Sequence, residues 1–177
     1  MDWWLASVRV LQDQGIHVAV TGAVAANAYM PPRQTGDLDL AVSKTDLGRS
    51  GEALAIAGWQ FLGDLQLYEG LSGTAWGKGS DEIDLIGLPG TWGTSAIALA
   101  QDNRAVNDLP TLTMPFVVVM KLISARPQDT ADIARMLGSA SDSALDEVRA
   151  VVRRSRPADV EDLEQMIAAG RLEFGPG

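Results

Sequence analysis

The stretch that decides the fold runs Val18-Ala-Val-Thr21-Gly22-Ala-Val-Ala-Ala-Asn-Ala-Tyr29 and, past Pro31-Pro32, continues as Arg33-Gln-Thr35-Gly36-Asp37-Leu38-Asp39-Leu40. An apolar run ends in a small-residue turn, and the alanine-rich segment after it predicts a helix to Tyr29, stopped by the proline pair. A second apolar run then carries two aspartates two residues apart. Side chains alternate along a strand, so Asp37 and Asp39 are expected on one face. Carboxylates held side by side repel and are costly to bury unless something positive lies between them. A divalent metal is the natural partner.

Outward from that stretch, residues 3–14 have an amphipathic helical pattern, with Trp4, Leu5, Val8 and Leu11 on one side, and Ile16–Val20 reads as a short buried strand. Leu38–Val42 is the second strand, and Leu47–Ala57 a helix ending at Gly58. Trp59–Leu62, Leu65–Leu71 and Gly73–Trp76 are glycine-punctuated runs suited to a meander. Glu82–Gly87 is a strand with acidic residues inside an apolar run. A helix is expected over Thr91–Ala100 and a short last strand over Thr111–Thr113. Pro115 and Pro127 then open two helices, and Ser143–Arg154 and Ala158–Ala169 read as two more. Residues 1–113 are therefore α/β, and residues 114–177 are a helical segment expected to pack on that core.

The 177 residues hold 46% hydrophobic and 21% charged side chains, the balance of a globular domain. No cysteine is present, which excludes disulfides, thiolate nucleophiles and zinc–cysteine sites. No apolar run approaches the ~20 residues of a membrane span. The first residues lack the pattern of a signal peptide, so a cytoplasmic location and no membrane partner are expected. A net charge of −9 argues against a surface that grips nucleic acid throughout. Arg149, Arg153, Arg154 and Arg156 form a local basic run, which suits either RNA phosphates or the C-terminal end of a solvated helix.

Asp84 sits centrally in its own strand. If that strand lies beside Leu38–Val42, then Asp37, Asp39 and Asp84 converge. Three oxygen ligands suit Mg²⁺ or Mn²⁺, and two such ions can clamp the attacking and leaving oxygens of an in-line displacement. The Thr21-Gly22 turn ahead of a helix offers backbone N–H groups to a triphosphate. Glu82 shares the face of Asp84 and is its alternative. His17, the lone histidine, reads as structural within its strand. Trp76 and Tyr68 suit either the core or stacking on a base. No Gly-x-x-x-x-Gly-Lys-Ser/Thr loop is present.

This ordered set resembles the minimal nucleotidyltransferase family of the DNA-polymerase-β-like superfamily, where a strand ends in Gly-Gly or Gly-Ser, a helix follows, and an Asp-x-Asp strand comes ten to fifteen residues later. Thr21-Gly22 stands in place of the small-residue pair, and Asp37-Leu38-Asp39 in place of the metal-binding pair. Arg33-Gln-Thr35-Gly-Asp37 is similar to the Arg-x-Thr-x-Asp of the branch containing abortive-infection and toxin nucleotidyltransferases. Met120-Lys121-Leu122-Ile123-Ser-Ala125-Arg126-Pro127-Gln-Asp129-Thr-Ala-Asp132-Ile133 is similar to a helical segment of that branch. The resemblance covers roughly residues 16–137.

It implies a nucleotidyltransferase-type mixed sheet flanked by helices, with a helical C-terminal segment. It also implies transfer of a nucleoside monophosphate from an NTP to an acceptor hydroxyl or phosphate. Asp37, Asp39 and Asp84 would hold Mg²⁺ or Mn²⁺ and carry catalysis, while Thr21, Gly22, Arg33, Lys121 and Asp129 would bind nucleotide. The implied acceptors are RNA or protein, with a possible antitoxin partner, or a small molecule as in antibiotic-modifying nucleotidyltransferases. From the residues alone, Lys121 lies in an apolar helix and must reach a partner, either a triphosphate or one of Asp129 and Asp132. Asp129 suits equally a helix-start carboxylate. The chain departs from the family pattern at Ala23, where serine or threonine is frequent, and at Thr21. Those departures leave open a non-catalytic nucleotide- or partner-binding module on the same fold. A third alternative is an unrelated α/β protein with Asp37 and Asp39 facing solvent.

Overall fold

The computed structural model describes residues 2–68 and 70–175. The chain divides into two compact units, one of residues 1–25 and 34–113, the other of residues 26–33 and 114–177.

The first unit is a five-stranded mixed sheet with helices. In chain order it holds α1 (Asp2–Gln12), β1 (Val18–Val20), α2 (Gly22–Ala26, whose last residue begins the second unit), β2 (Leu38–Ser43), α3 (Leu47–Ile56), β3 (Gln60–Asp64), β4 (Ser72–Lys78), β5 (Asp81–Leu88) and α4 (Gly90–Ala100). The strand order is β1-β2-β5-β4-β3. Only β2 and β5 run parallel; every other neighbouring pair is antiparallel. The central strands are apolar because helices cover them: Leu38, Leu40, Ala41 and Val42 of β2 and Ile83, Leu85 and Leu88 of β5 are all buried. Each fully buried leucine or isoleucine contributes on the order of 2 kcal/mol. Asp39 and Asp84 interrupt these runs at half-buried positions.

Some sequence expectations shift. The run Leu65–Leu71 forms no strand over its described residues, and Glu69 within it lies outside them. The helix expected to reach Tyr29 ends at Ala26. Thr111 makes a single bridge to Val20 rather than a strand. Its neighbours close that contact: Val20 N–H donates to the Pro110 carbonyl at 2.7 Å, and Leu112 N–H to the Val20 carbonyl at 2.9 Å.

The second unit is helical: α5 (Met114–Ser124), α6 (Pro127–Gly138), α7 (Asp142–Ser155) and α8 (Val160–Phe174). Ser141 caps α7, its hydroxyl accepting from Ala144 N–H at 3.3 Å. Leu145, Val148 and Val152 form the buried stripe of α7. Helices α6 and α8 approach closely at glycine, since a Cβ on Gly170 would lie 2.2 Å from the Ala134 carbonyl oxygen. Arg149 of α7 pairs with Glu164 of α8 at 2.7 Å, and Arg156 with Asp159. Half of the basic run is thus occupied by carboxylates, and Arg153 and Arg154 are exposed. No helix among the described residues is long and apolar enough to cross a membrane.

Candidate functional site

Asp39 of β2 and Asp84 of β5 are register partners in the parallel pair, so their side chains leave the same face of the sheet. Asp37 lies one residue before β2 rather than inside it. It reaches the same point nevertheless: one carboxylate oxygen from each of Asp37, Asp39 and Asp84 lies within 4.8 Å of the others. The Thr35 hydroxyl donates to Asp37 Oδ1 at 2.7 Å and orients it. Ionised carboxylates at this separation repel by roughly 3 kcal/mol per pair at the effective dielectric of a protein surface. The donor set is oxygen only, which suits a hard divalent cation. Glu82, weighed as the alternative to Asp84, is exposed on β5 and stands outside the cluster.

The Thr21-Gly22 turn closes against Asp39. Thr21 N–H donates to the Asp39 carbonyl at 3.0 Å, continuing the β1–β2 ladder one residue beyond Val20↔Leu40. Gly22 has φ +62°, and a Cβ there would lie 1.8 Å from Asp39 Oδ2. Glycine is required both for the left-handed backbone and for the space that Asp39 fills. Thr21 is fully buried, and its Oγ1 has no hydrogen-bond partner among the described residues. Helix α2 behind this turn has only five residues.

The second unit assembles Arg33, Lys121 and Asp129 around Asp132, which the sequence offered only as a partner for Lys121. Lys121 Nζ donates to Asp129 Oδ1 at 2.8 Å and to Asp132 Oδ2 at 2.7 Å. Arg33 donates to Asp132 through Nη2 at 3.0 Å and Nε at 3.3 Å, and Gln128 Nε2 at 2.9 Å. Asn27 holds the Arg33 backbone from both sides, at 2.8 and 3.0 Å. Lys121, Asp129 and Asp132 are all buried.

Burial pushes the Asp132 carboxyl up, but hydrogen bonds from Arg33, Lys121 and Gln128 and the Lys121 charge outweigh it and hold the group below the usual carboxylate range. Asp129 is lowered in the same way, burial being outweighed by Lys121, Ser124 and Arg126. The lysine's partners in this structure are therefore the two aspartates. The available signal for Asp132 was its spacing, i+3 from Asp129 on one helix face.

The remaining candidates fall elsewhere. His17 precedes β1 and is exposed, not set in a buried strand. Trp76 is core, its indole N–H donating to Thr74 Oγ1 at 2.8 Å. Tyr68 is exposed.

The five-stranded mixed sheet with its flanking helices, and the C-terminal helices, make a nucleotidyltransferase-like fold. Among solved structures, the chain is similar to the solution structure of the antibiotic-resistance factor ANT(2'')-Ia, with TM-score 0.53, 15% identity, and coverage of 96% of this chain and 90% of that one. It is likewise similar to the crystal structure of ANT(2'')-Ia in complex with adenylyl-2''-tobramycin, with TM-score 0.51, 14% identity, and coverage of 96% and 95%. At these identities the likeness is one of fold. No protein-family model matches the chain, and no curated protein does.

Proposed function

We propose that this chain is a metal-dependent nucleotidyltransferase that moves a nucleoside monophosphate from an NTP to an acceptor hydroxyl and releases pyrophosphate. The observation that carries the reading is the pairing of Asp39 with Asp84 across two parallel strands, with Asp37 brought within 4.8 Å of both. The donor chemistry fits Mg²⁺ or Mn²⁺, and the orphaned Thr21 hydroxyl beside Asp39 fits a centre that is complete only when loaded. Such an ion, when bound, supplies charge neutralisation at the transferred phosphoryl group and its leaving oxygen.

The chain's own residues do the rest by positioning and electrostatics. Asp37, Asp39 and Asp84 would hold the metal. Asp84 would accept the proton of the acceptor hydroxyl as that oxygen bonds to the α-phosphorus and the bond to pyrophosphate breaks. Gly22 lets the backbone approach the site closely, with Thr21 beneath it. Arg33 and Lys121, which the resemblance would assign to the triphosphate, are engaged by Asp132, and Lys121 also by Asp129.

For the acceptor, a small hydroxylated cation is favoured over RNA. The net charge is −9, and Arg149 and Arg156 are occupied by carboxylates. A solved structure of the same fold holds an adenylylated aminoglycoside. Neither the fold nor those neighbours supports an antitoxin partner. The second reading, a nucleotide- or partner-binding module without turnover, rests on Ala23 in place of a hydroxyl residue.

The test is transfer of label from each α-phosphate-labelled NTP, with Mg²⁺ or Mn²⁺, into an aminoglycoside panel, total RNA and total protein. Label in a small hydroxylated acceptor, absent with Asp39→Asn, is expected. Nucleotide binding without transfer to any acceptor favours the binding module.

A further inference from the structure

Among the described residues, Thr21 Oγ1 is the buried side-chain polar atom without a hydrogen-bond partner. A hydroxyl shut away from water in this state costs stability that a valine of the same shape does not. Its position gives the cost a purpose. The Thr21 N–H bond to the Asp39 carbonyl extends the antiparallel ladder, so Thr21 stands opposite Asp39 and their side chains share a face. On the adjoining side, Gly22 lies so close to Asp39 Oδ2 that a Cβ would meet it at 1.8 Å. The Thr21-Gly22 turn thus lies against the Asp39 carboxylate.

We infer that Thr21 is a positioning residue for Asp39, its hydroxyl donating to the carboxylate when a divalent cation binds the acidic cluster and lacking a partner without it. Metal-binding carboxylates are commonly oriented by such a neighbouring donor, whose loss weakens metal affinity about 10–100-fold. The inference rests on the reading that Asp37, Asp39 and Asp84 hold a metal. It assigns Thr21 a task that glycine in the same turn cannot perform.

The experiment measures Mn²⁺ affinity by electron paramagnetic resonance, and melting temperature in chelator and in Mn²⁺. The proteins are the wild type, Thr21→Val, Thr21→Ser and Asp39→Asn. Thr21→Val is expected to melt at or above the wild type in chelator, to bind Mn²⁺ about tenfold more weakly, and to gain less from Mn²⁺ in melting temperature. Thr21→Ser keeps the hydroxyl and should stay within about threefold of wild-type affinity. Two results overturn the inference: Thr21→Val binding Mn²⁺ as tightly as the wild type, or melting in chelator below both the wild type and Thr21→Ser. If the wild type binds no Mn²⁺, or Asp39→Asn binds it unchanged, the metal reading itself fails. Loss of binding in Asp39→Asn with none in Thr21→Val overturns the role of Thr21 alone.

Discussion

Asp39 and Asp84 stand directly opposite each other in the parallel pairing of β2 and β5, one on each of two adjacent buried strands. That pairing comes from the sheet ladder, and no side-chain bond is needed to create it. The third carboxylate arrives differently. Asp37 precedes β2 and depends on the Thr35 hydroxyl for its orientation. The cluster therefore combines two rigid members with one set by the preceding loop.

Replacing Asp39 by asparagine removes one charge from three crowded carboxylates. The variant should fold, melt in chelator no lower than the wild type, and lose metal-dependent transfer by at least about a thousandfold, a loss of roughly 4 kcal/mol of transition-state stabilisation. Thermal melts and label transfer on the same preparation check both halves.

Gly22→Ala places a methyl group where Asp39 Oδ2 sits, on a backbone with φ +62°. Strain of this kind costs about 1–3 kcal/mol, and the displaced carboxylate leaves the cluster. Urea denaturation should show the lost stability, and Mn²⁺ affinity should fall in the same variant.

Asp132→Ala takes a fully buried partner from Lys121 and Arg33. Breaking a buried ion pair from one side typically costs about 3–5 kcal/mol, because the Lys121 ammonium keeps its burial and loses one of its two carboxylates. Arg33→Ala should cost less, since its guanidinium is partly exposed and a charge in contact with water is worth little. Urea midpoints of the two variants give the comparison.

Acid should act through the same network. Asp129 and Asp132 are held below the usual carboxylate range, so on acidification the unfolded chain takes up their protons before the folded chain does. Their contribution is present above the unfolded carboxylate pKa and is lost as pH falls through the lower folded values. Between about pH 4.5 and pH 3 the wild type should lose stability more steeply than Asp132→Asn, measured as urea midpoint against pH.

The carboxylates of the acidic cluster were legible as strand residues because period-2 alternation is a local property of the chain. Asp39 inside Leu38–Val42 and Asp84 inside Glu82–Gly87 could be read as strand carboxylates, and the parallel pairing of their strands supplies the adjacency. Less visible was whatever depends on distant partners. Helix α2 stops at Ala26 although Ala28 continues the helical pattern, and the Asn27 amide pins the Arg33 backbone just beyond. Asp132 reads from sequence as one of two candidate partners of Lys121, and only its burial against both Lys121 and Arg33 makes it the hub. Thr111–Thr113 has strand composition but meets β1 at one bridge. His17 precedes a buried strand by one residue and faces solvent.

The most direct test of the central claim is calorimetric titration of ATP into the wild type and Asp39→Asn, each with Mg²⁺ and with chelator. The account predicts binding to the wild type that depends on Mg²⁺, and loss of that dependence in folded Asp39→Asn. ATP binding of equal strength with and without Mg²⁺, or unchanged by Asp39→Asn, would contradict a metal–nucleotide site built on Asp37, Asp39 and Asp84.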